Sequence, residues 1–215
     1  MDLNEFNHIS HIIIGTIAFI GGIIALSAKK GSITHKVGGK IFVIGMLYAS
    51  VSIVGFMIEE FRPLAILMSV ATLYFITSSI SALRYKKKHA KTIDKCLIIL
   101  PFLLFVFTAM QFIRALPEIS LGTAARFLFA SIFALMLYRD IKLIKNRSTE
   151  HLFYLKRHAF RMILAFGFAI MAVLRIGIKL DFLGLAFTTL LPLLLALIVA
   201  FIVERNLTKL LPKGK

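Results

Sequence analysis

The sequence predicts an all-α integral membrane protein, a bundle of seven transmembrane helices with the N-terminus outside and the C-terminus in the cytoplasm. Hydrophobic residues make up 59% of the 215 residues. They form seven segments of about 20 residues each, the length that a helix needs to cross a hydrocarbon core of about 30 Å. Of the 26 Lys and Arg residues, 20 lie at alternate gaps between these segments or in the C-terminal tail, and Arg161 lies just inside the sixth segment, next to such a gap. Because basic residues are retained on the cytoplasmic side of a membrane, this alternation predicts the orientation.

The predicted helices follow one another with short connections that carry turn or charge signals. The segments are residues 9–28, 41–58, 63–83, 96–113, 121–138, 159–178 and 182–203. The first is preceded by Asp2 and Glu5 and lacks a small-residue cleavage site, so we expect a permanent membrane helix rather than a signal peptide. The fourth and seventh contain Pro101 and Pro192, which should kink them because proline removes a backbone hydrogen bond and crowds the preceding turn.

The charge of the chain is sorted by side of the membrane. The gaps after the first, third and fifth segments and the C-terminal tail hold 4, 6, 6 and 4 basic residues, and Arg161 at the start of the sixth segment brings the total on this side to 21. The predicted cytoplasmic side carries a net charge of +17, against −1 on the other side. We therefore expect the lipid bilayer, and no nucleic acid, as the partner of the basic residues. Residues 1–215 form a single membrane domain, which we place in the inner (cytoplasmic) cell membrane.

Three segments place small and ionisable residues on one helical face, at steps of three and four. The stripes are His8, His11, Gly15, Ala18, Gly22 and Ala25; His35, Gly38, Phe42, Gly45, Ala49 and Ser52; and His158, Arg161, Ala165, Phe168, Ala172 and Arg175. Small residues mark the faces where membrane helices approach each other. The ionisable residues on these faces should point into the bundle, where such groups are costly unless paired or hydrated and are candidate functional residues.

The predicted topology sorts these candidates into two layers about a bilayer apart. The cytoplasmic layer contains His35, His158 and Arg161. The outer layer contains His8, His11, Arg126 and Arg175, with Glu59 and Glu60 at about the same depth. Arg126 and Arg175 either pair with a carboxylate such as Glu59 or extend their guanidinium groups to the interface.

Two stretches of the chain resemble a known family. The first runs from His11 and Gly15 through Gly21-Gly22, Lys30-Gly31 and His35 to Met46, and the second from His158 through Arg161-Met162 to Arg175. They resemble a family of bacterial multi-pass membrane proteins that is catalogued as a domain of unknown function. The resemblance implies the topology and the candidate residues His11, His35, His158, Arg161 and Arg175, but no activity. The chain differs in having Arg161 where many relatives carry Trp, and in its additional His8.

The two histidines of the cytoplasmic layer meet the conditions for a haem-b site. A membrane haem is usually held by two histidines of different helices at the same depth, with cations near its propionates. His35 and His158 are such a pair, and the cations are Lys36, Arg157 and Arg161. The specific function that the sequence favours is therefore a haem-b-binding electron-transfer protein. In the alternative interpretation, these histidines lie at helix ends and bind backbone groups or lipid headgroups.

Two other functions stay open, and with them whether the protein is an enzyme. In a metal-dependent or quinone-dependent membrane enzyme, His8 and His11 at positions i and i+3 would bind one metal ion together with Glu59. In a small-solute transporter or channel, Arg126 and Arg175 would bind an anionic ligand. The sequence does not determine the substrate or the oligomeric state, and it is compatible with a homo-oligomer.

Overall fold

The computed structural model describes residues 3–56, 63–174 and 184–210, and within these ranges it contains helices and no strand. The helices are α1 (Leu3–Ser27), α2 (Ile33–Phe56), α3 (Pro63–Leu83), α4 (Lys88–Leu97), α5 (Ile99–Ala115), α6 (Leu121–Lys145), α7 (His151–Ala172) and α8 (Leu191–Leu210). A π-helical segment, Ala186–Leu190, leads directly into α8. The predicted all-α class is confirmed.

Within the described ranges, six helical stretches are long and apolar enough to cross a membrane. They are Glu5–Ser27, Ile33–Ile53, Pro63–Leu83, Lys88–Ala115, Leu121–Lys145 and Ala186–Leu210. The sequence predicted seven crossings. Helix α7 is 22 residues long, but it is not among the six because it carries Lys156, Arg157 and Arg161. A seventh crossing and the orientation of the termini stay predictions.

The regular α-helix is interrupted near both prolines inside the apolar segments, and the kinks expected there stay predictions. Helix α4 ends at Leu97 and α5 begins at Ile99, because Pro101 has no N–H group to donate to the carbonyl of Leu97 four residues earlier. Just before Pro192, the N–H group of Leu191 bonds to the carbonyl of Ala186, five residues back. This spacing is that of a π-helix.

Helix α3 is the central element of the bundle and packs against α2, α4, α5 and α7. Twelve of its 21 residues are buried. The ring of Phe75 stacks on Phe133 of α6 and meets Phe168 of α7 edge-on, with centroids 6.4 and 5.4 Å apart. Helices α1, α5 and α8 instead expose many large apolar side chains. Apolar surface of this extent is typical of contact with lipid or another protein.

Helices α1 and α2 pack along the small-residue stripes predicted for them. A methyl group added at Gly45 would lie 2.6 Å from Cβ of Ala18, and one at Gly38 would lie 2.8 Å from the carbonyl oxygen of Gly21. Glycine is therefore needed for this close approach of the two backbones. Gly15 is different, because an added methyl group would meet no described atom within 4 Å. The expectation that Gly15 marks a close helix contact is wrong.

The basic residues of the alternate gaps gather at one end of the bundle, which we call the basic end. It contains the α1–α2 turn at 28–32, the α3–α4 turn at 84–87, the α6–α7 connection at 146–150 and the last turns of α8. Side chains join these parts. Arg139 of α6 binds Glu204 of α8 at 3.0 Å, and Arg147 donates to the carbonyl of Tyr85 at 3.5 Å. The α5–α6 turn lies at the opposite end.

Candidate functional site

His35 is held against α1 by the first turn of α2. Gly31 turns the chain between the helices at φ +82°, a left-handed conformation that glycine adopts without strain. The Oγ atom of Ser32 accepts from the backbone N–H of His35 at 3.2 Å, as an N-capping residue does. The ring of His35 donates from Nδ1 to the carbonyl oxygen of Ala25 at 2.8 Å. Because a carbonyl can only accept, the proton of a neutral His35 lies on Nδ1 and Nε2 is the acceptor nitrogen.

His158 lies on α7 and contacts Ser79 of α3. The Oγ atom of Ser79 is 2.7 Å from Nδ1 of His158 and 3.2 Å from its carbonyl oxygen. Both contacts are hydrogen bonds when the hydroxyl donates to the carbonyl and Nδ1–H donates to the hydroxyl. In this arrangement Nε2 of His158 is also the acceptor nitrogen.

The two histidines come from different helices, and His158 lies within electrostatic range of His35. Each ring is oriented through Nδ1, and Nε2 of neither ring hydrogen bonds to a described residue. Metal-bound histidines typically have this arrangement, because the hydrogen bond at one nitrogen fixes the ring and raises the basicity of the other. Two imidazoles with acceptor Nε2 atoms are the donor set that usually holds a membrane haem iron.

The cations that the sequence assigned to the haem propionates have different surroundings. Lys36 is exposed at the basic end, next to His35 in the chain. Arg157 and Arg161 are buried and bind carboxylates of other helices. Of these three cations, Lys36 alone makes no ion pair with a described residue. A haem bound by the two histidines would therefore have Lys36 for its propionates.

Arg157 and Arg161 belong to a group of five charged side chains, four of them buried and Arg147 partly exposed, which we call the ion cluster. Its members are Asp94, Asp140, Arg147, Arg157 and Arg161. Arg161 binds Asp140 through Nη2, and Arg157 bridges the carboxylates at 3.0 Å from Asp94 and 3.4 Å from Asp140. Arg147 approaches Asp94 to 3.3 Å. Since both carboxylates and Arg161 are 2% exposed, the cluster ties α4, α6 and α7 together inside the bundle.

Hydroxyl groups of α3 complete the ion cluster. Tyr74 donates to Oδ2 of Asp140 at 2.6 Å, and Ser81 donates to Oδ1 of Asp94 at 2.9 Å. The ring of Tyr74 also lies 5.1 Å from the guanidinium carbon of Arg161, a favourable cation–π geometry. These bonds offset the cost of removing the charges from water. With three guanidinium groups and two carboxylates, the cluster keeps a net positive charge.

Sequence reasoning missed Asp94, Asp140 and Tyr74. Both aspartates lie in the basic gaps that were expected to be cytoplasmic loops, but α6 continues to Lys145 and buries Asp140. A signal was present, because these gaps and the C-terminal tail together hold only four acidic residues among 20 basic ones. The four-residue spacing of two arginines on α7 also places them on one face, as a shared carboxylate partner requires.

The histidines at the opposite end have partners of their own. His11 donates from Nδ1 to Oγ of Ser52 at 2.7 Å, and the hydroxyl of Ser52 donates to the carbonyl of Ala49 at 2.9 Å. His8 lies within electrostatic range of His11. Glu59 is outside the described residues, so a metal site of His8, His11 and Glu59 stays a prediction. In the described ranges, no group of three or more His, Cys, Asp or Glu side chains could hold a metal ion.

Arg126 is exposed on α6 at the same end. It lines a surface pocket of about 410 Å³ together with Arg114, Glu118 and Ser120. Glu60 and Arg175, like Glu59, lie outside the described residues. The predicted pairing of Arg126 or Arg175 with a carboxylate at 59 or 60 is therefore not described.

These features define an all-helical, multi-pass membrane protein with a buried ion cluster and a histidine pair at its basic end. The comparisons with known proteins add no family to this class. No protein-family model, no curated protein and no solved structure matches the chain. The resemblance drawn from the sequence therefore stays a prediction.

Proposed function

We propose that this multi-pass membrane protein binds haem b between His35 and His158 and transfers electrons. The observation that supports the proposal is the pair of imidazoles from α2 and α7, each held at Nδ1 by a partner and each with Nε2 left for a ligand. Bound haem supplies a one-electron iron couple. The chain's own contribution is to orient the two rings, through the carbonyl of Ala25 and the hydroxyl of Ser79.

The proposed setting is the inner cell membrane. The crossing that we add to the six apolar helical stretches is the sixth predicted segment, 159–178, which begins within α7. The basic end then faces the cytoplasm, because basic residues are retained there. The histidine pair lies at this end, so the haem would exchange electrons near the cytoplasmic surface. Lys36, exposed beside His35, would be available to neutralise a propionate.

The test is the absorption spectrum of the full chain, purified in detergent after expression with a normal haem supply. We expect a Soret band and an α band after reduction with dithionite, and the loss of both in His35→Ala and in His158→Ala. Both variants should still insert into the membrane. His89→Ala and His151→Ala are matched controls because both side chains are exposed. A colourless wild-type protein, or bands that survive both single changes at the pair, would reject the proposal.

A colourless protein would favour the alternative of small-solute transport. The observation for this function is the pocket at the opposite end, where Arg114 and Arg126 present two guanidinium groups beside Ser120. Guanidinium groups bind carboxylates and phosphates with paired hydrogen bonds, so the solute would be a small anion. Glu118 lines the same pocket and repels an anion, which makes this the weaker candidate.

A further inference from the structure

A pocket of about 380 Å³ lies at the basic end, beside the ion cluster, and neither His35 nor His158 lines it. Its lining residues are Tyr85, Lys86, Arg147, Ser148, Thr149 and Tyr154. They belong to the α3–α4 turn, the α6–α7 connection and the first turn of α7. We propose that this pocket binds a phosphate group, carried by an anionic phospholipid or by a soluble phosphate compound.

The floor of the pocket is a fixed aromatic pair. The rings of Tyr85 and Tyr154 stack with centroids 4.1 Å apart. The hydroxyl of Tyr154 donates to the carbonyl of Ser148 at 2.9 Å, and Tyr154 is 1% exposed. This bond anchors the α6–α7 connection, so Ser148 and Thr149 are held in place before a ligand arrives. Such preorganisation reduces the entropy lost on binding.

Arg147 and Lys86 make the pocket positive. Two groups orient the guanidinium of Arg147. Its Nη1 lies 3.3 Å from Oδ2 of Asp94, and its Nη2 donates to the carbonyl of Tyr85 at 3.5 Å. The remaining N–H groups of Arg147 are left for a ligand. Asp94 does not cancel the charge of Arg147, because it also binds Arg157. Lys86 is exposed, makes no ion pair with a described residue and lies 5.9 Å from the ring centre of Tyr85.

Two hydroxyl groups add neutral donors. The Oγ atom of Ser148 accepts from the backbone N–H of Glu150 at 3.1 Å, so its own proton is available to a ligand. Thr149 follows directly in the chain and lines the same pocket. Glu150 is the acidic residue of this connection, but its side chain is exposed and does not line the pocket.

A phosphate group suits this set of donors better than a carboxylate does. A phosphate monoester carries a charge of about −1.5 to −2 at pH 7 and three strong acceptor oxygens. The pocket offers a guanidinium fork, a mobile ammonium group and two hydroxyls at different points of the rim, and these match a tetrahedral group. The phosphodiester of a phospholipid headgroup is also tetrahedral but carries a single negative charge, and the experiment separates this source from a soluble phosphate compound.

The test uses the detergent-purified full chain with two probes, phosphatidylglycerol and inorganic pyrophosphate. Native mass spectrometry counts phosphatidylglycerol adducts, with phosphatidylcholine as the zwitterionic comparison, and thermal melting reports pyrophosphate. We expect Lys86→Gln to weaken binding of the active probe about tenfold, the effect of losing one charge-assisted hydrogen bond. Thr149→Val should weaken it by a smaller factor. Lys91→Gln and Lys142→Gln are matched controls, because both lysines are exposed at the same end and neither lines the pocket.

The outcomes identify the source of the phosphate. Adducts with phosphatidylglycerol but no melting shift with pyrophosphate would identify a lipid site, and the reverse would identify a soluble ligand. Binding of neither probe, or equal binding by the wild type and Lys86→Gln, would overturn the proposal. Arg147 is kept unchanged in these variants, since its removal would take a partner from buried Asp94 and disturb the fold.

Discussion

Asp140 is the residue on which the ion cluster depends most. It accepts hydrogen bonds from Tyr74 of α3 and from Arg157 and Arg161 of α7. A carboxylate that is 2% exposed has lost its hydration, which costs several kcal/mol unless protein donors replace the water. The same holds for buried Arg161. Loss of one partner therefore costs more than loss of both, because the remaining charge has neither water nor a counter-ion.

We expect Asp140→Asn to lower the free energy of unfolding by roughly 3–5 kcal/mol, the typical cost of breaking a buried ion pair from one side. The double variant Asp140→Asn, Arg161→Met should lose less than the sum of the two single changes, because it also removes the unpaired charge. Unfolding in mixed micelles of mild detergent and dodecyl sulfate measures these energies.

The control for this prediction lies on the same helix. Lys142 is exposed and two residues beyond Asp140, so Lys142→Gln should change stability by less than about 0.5 kcal/mol. If Asp140→Asn behaved like this control, the charges of the cluster would not be coupled in the folded protein.

At the scale of residues, the depth of His35 and His158 is easier to predict from the sequence than the hydrogen-bond partners of their rings. His35 and His158 could be paired because both lie where a basic gap meets an apolar segment, and topology then gives them the same depth. The partners Ala25 and Ser79 could not be predicted, since they depend on which helices touch. Asp94 was missed for the same reason. A polar residue in a polar gap is predicted to be solvated, because the sequence does not show that the end of a neighbouring helix covers it.

At the scale of elements, the contact between α1 and α2 depends on particular glycines rather than on the whole stripe. Gly45 faces Ala18 and Gly38 faces Gly21, so the backbones approach closely over this part of the pair. At Gly15 the described surroundings are open. Steps of three and four placed Gly15, Ala18, Gly38 and Gly45 on the predicted stripes, whereas Gly21 lies beside its stripe. Periodicity does not state how far along a helix face the neighbouring helix extends.

The same substitution should therefore have opposite effects at two glycines. We expect Gly45→Ala to destabilise the protein by roughly 1–3 kcal/mol, because the added methyl group overpacks the contact with Ala18. Gly15→Ala should be neutral or stabilising by up to about 1 kcal/mol, because alanine favours the helix over glycine. Thermal melting in detergent compares the two. Equal shifts of the two variants would show that α1 and α2 do not touch at Gly45.

The ends of the helices were harder to predict than the interruptions within them. Interruptions of the α-helix lie near Pro101 and Pro192, where they could be expected because a missing N–H group is a local property of the chain. Helix α6, whose apolar segment stops at residue 138, runs to Lys145, and α7 begins at His151 rather than near residue 159. An apolar segment marks the part of a helix that crosses lipid. The helix itself continues while its charged side chains reach water or each other.

At the scale of the whole molecule, burial is unevenly distributed over the helices. In an apolar window of 18 residues in α3, 61% of the residues are buried, against 22% in the corresponding window of α1 and 17% in that of residues 88–115. The side chains that α1, α5 and α8 leave exposed are mostly Ile, Leu, Val and Phe. Water-soluble monomers rarely expose apolar surface of this extent. The bundle thus has a polar and ionic interior at the basic end and an apolar exterior, as a membrane-embedded protein does.

The orientation of the protein in the membrane decides which compartment the histidine pair and the proposed phosphate-binding pocket face. Because 21 of the 26 basic residues lie at the predicted cytoplasmic side, we expect the basic end in the cytoplasm and the α5–α6 turn outside. Exposed Cys96 is first changed to Ser. A cysteine at Glu118 should then react with a membrane-impermeant maleimide in intact cells, and a cysteine at Lys87 only after permeabilisation. The reverse pattern would place both sites outside, where cytoplasmic phosphate compounds and electron donors cannot reach them.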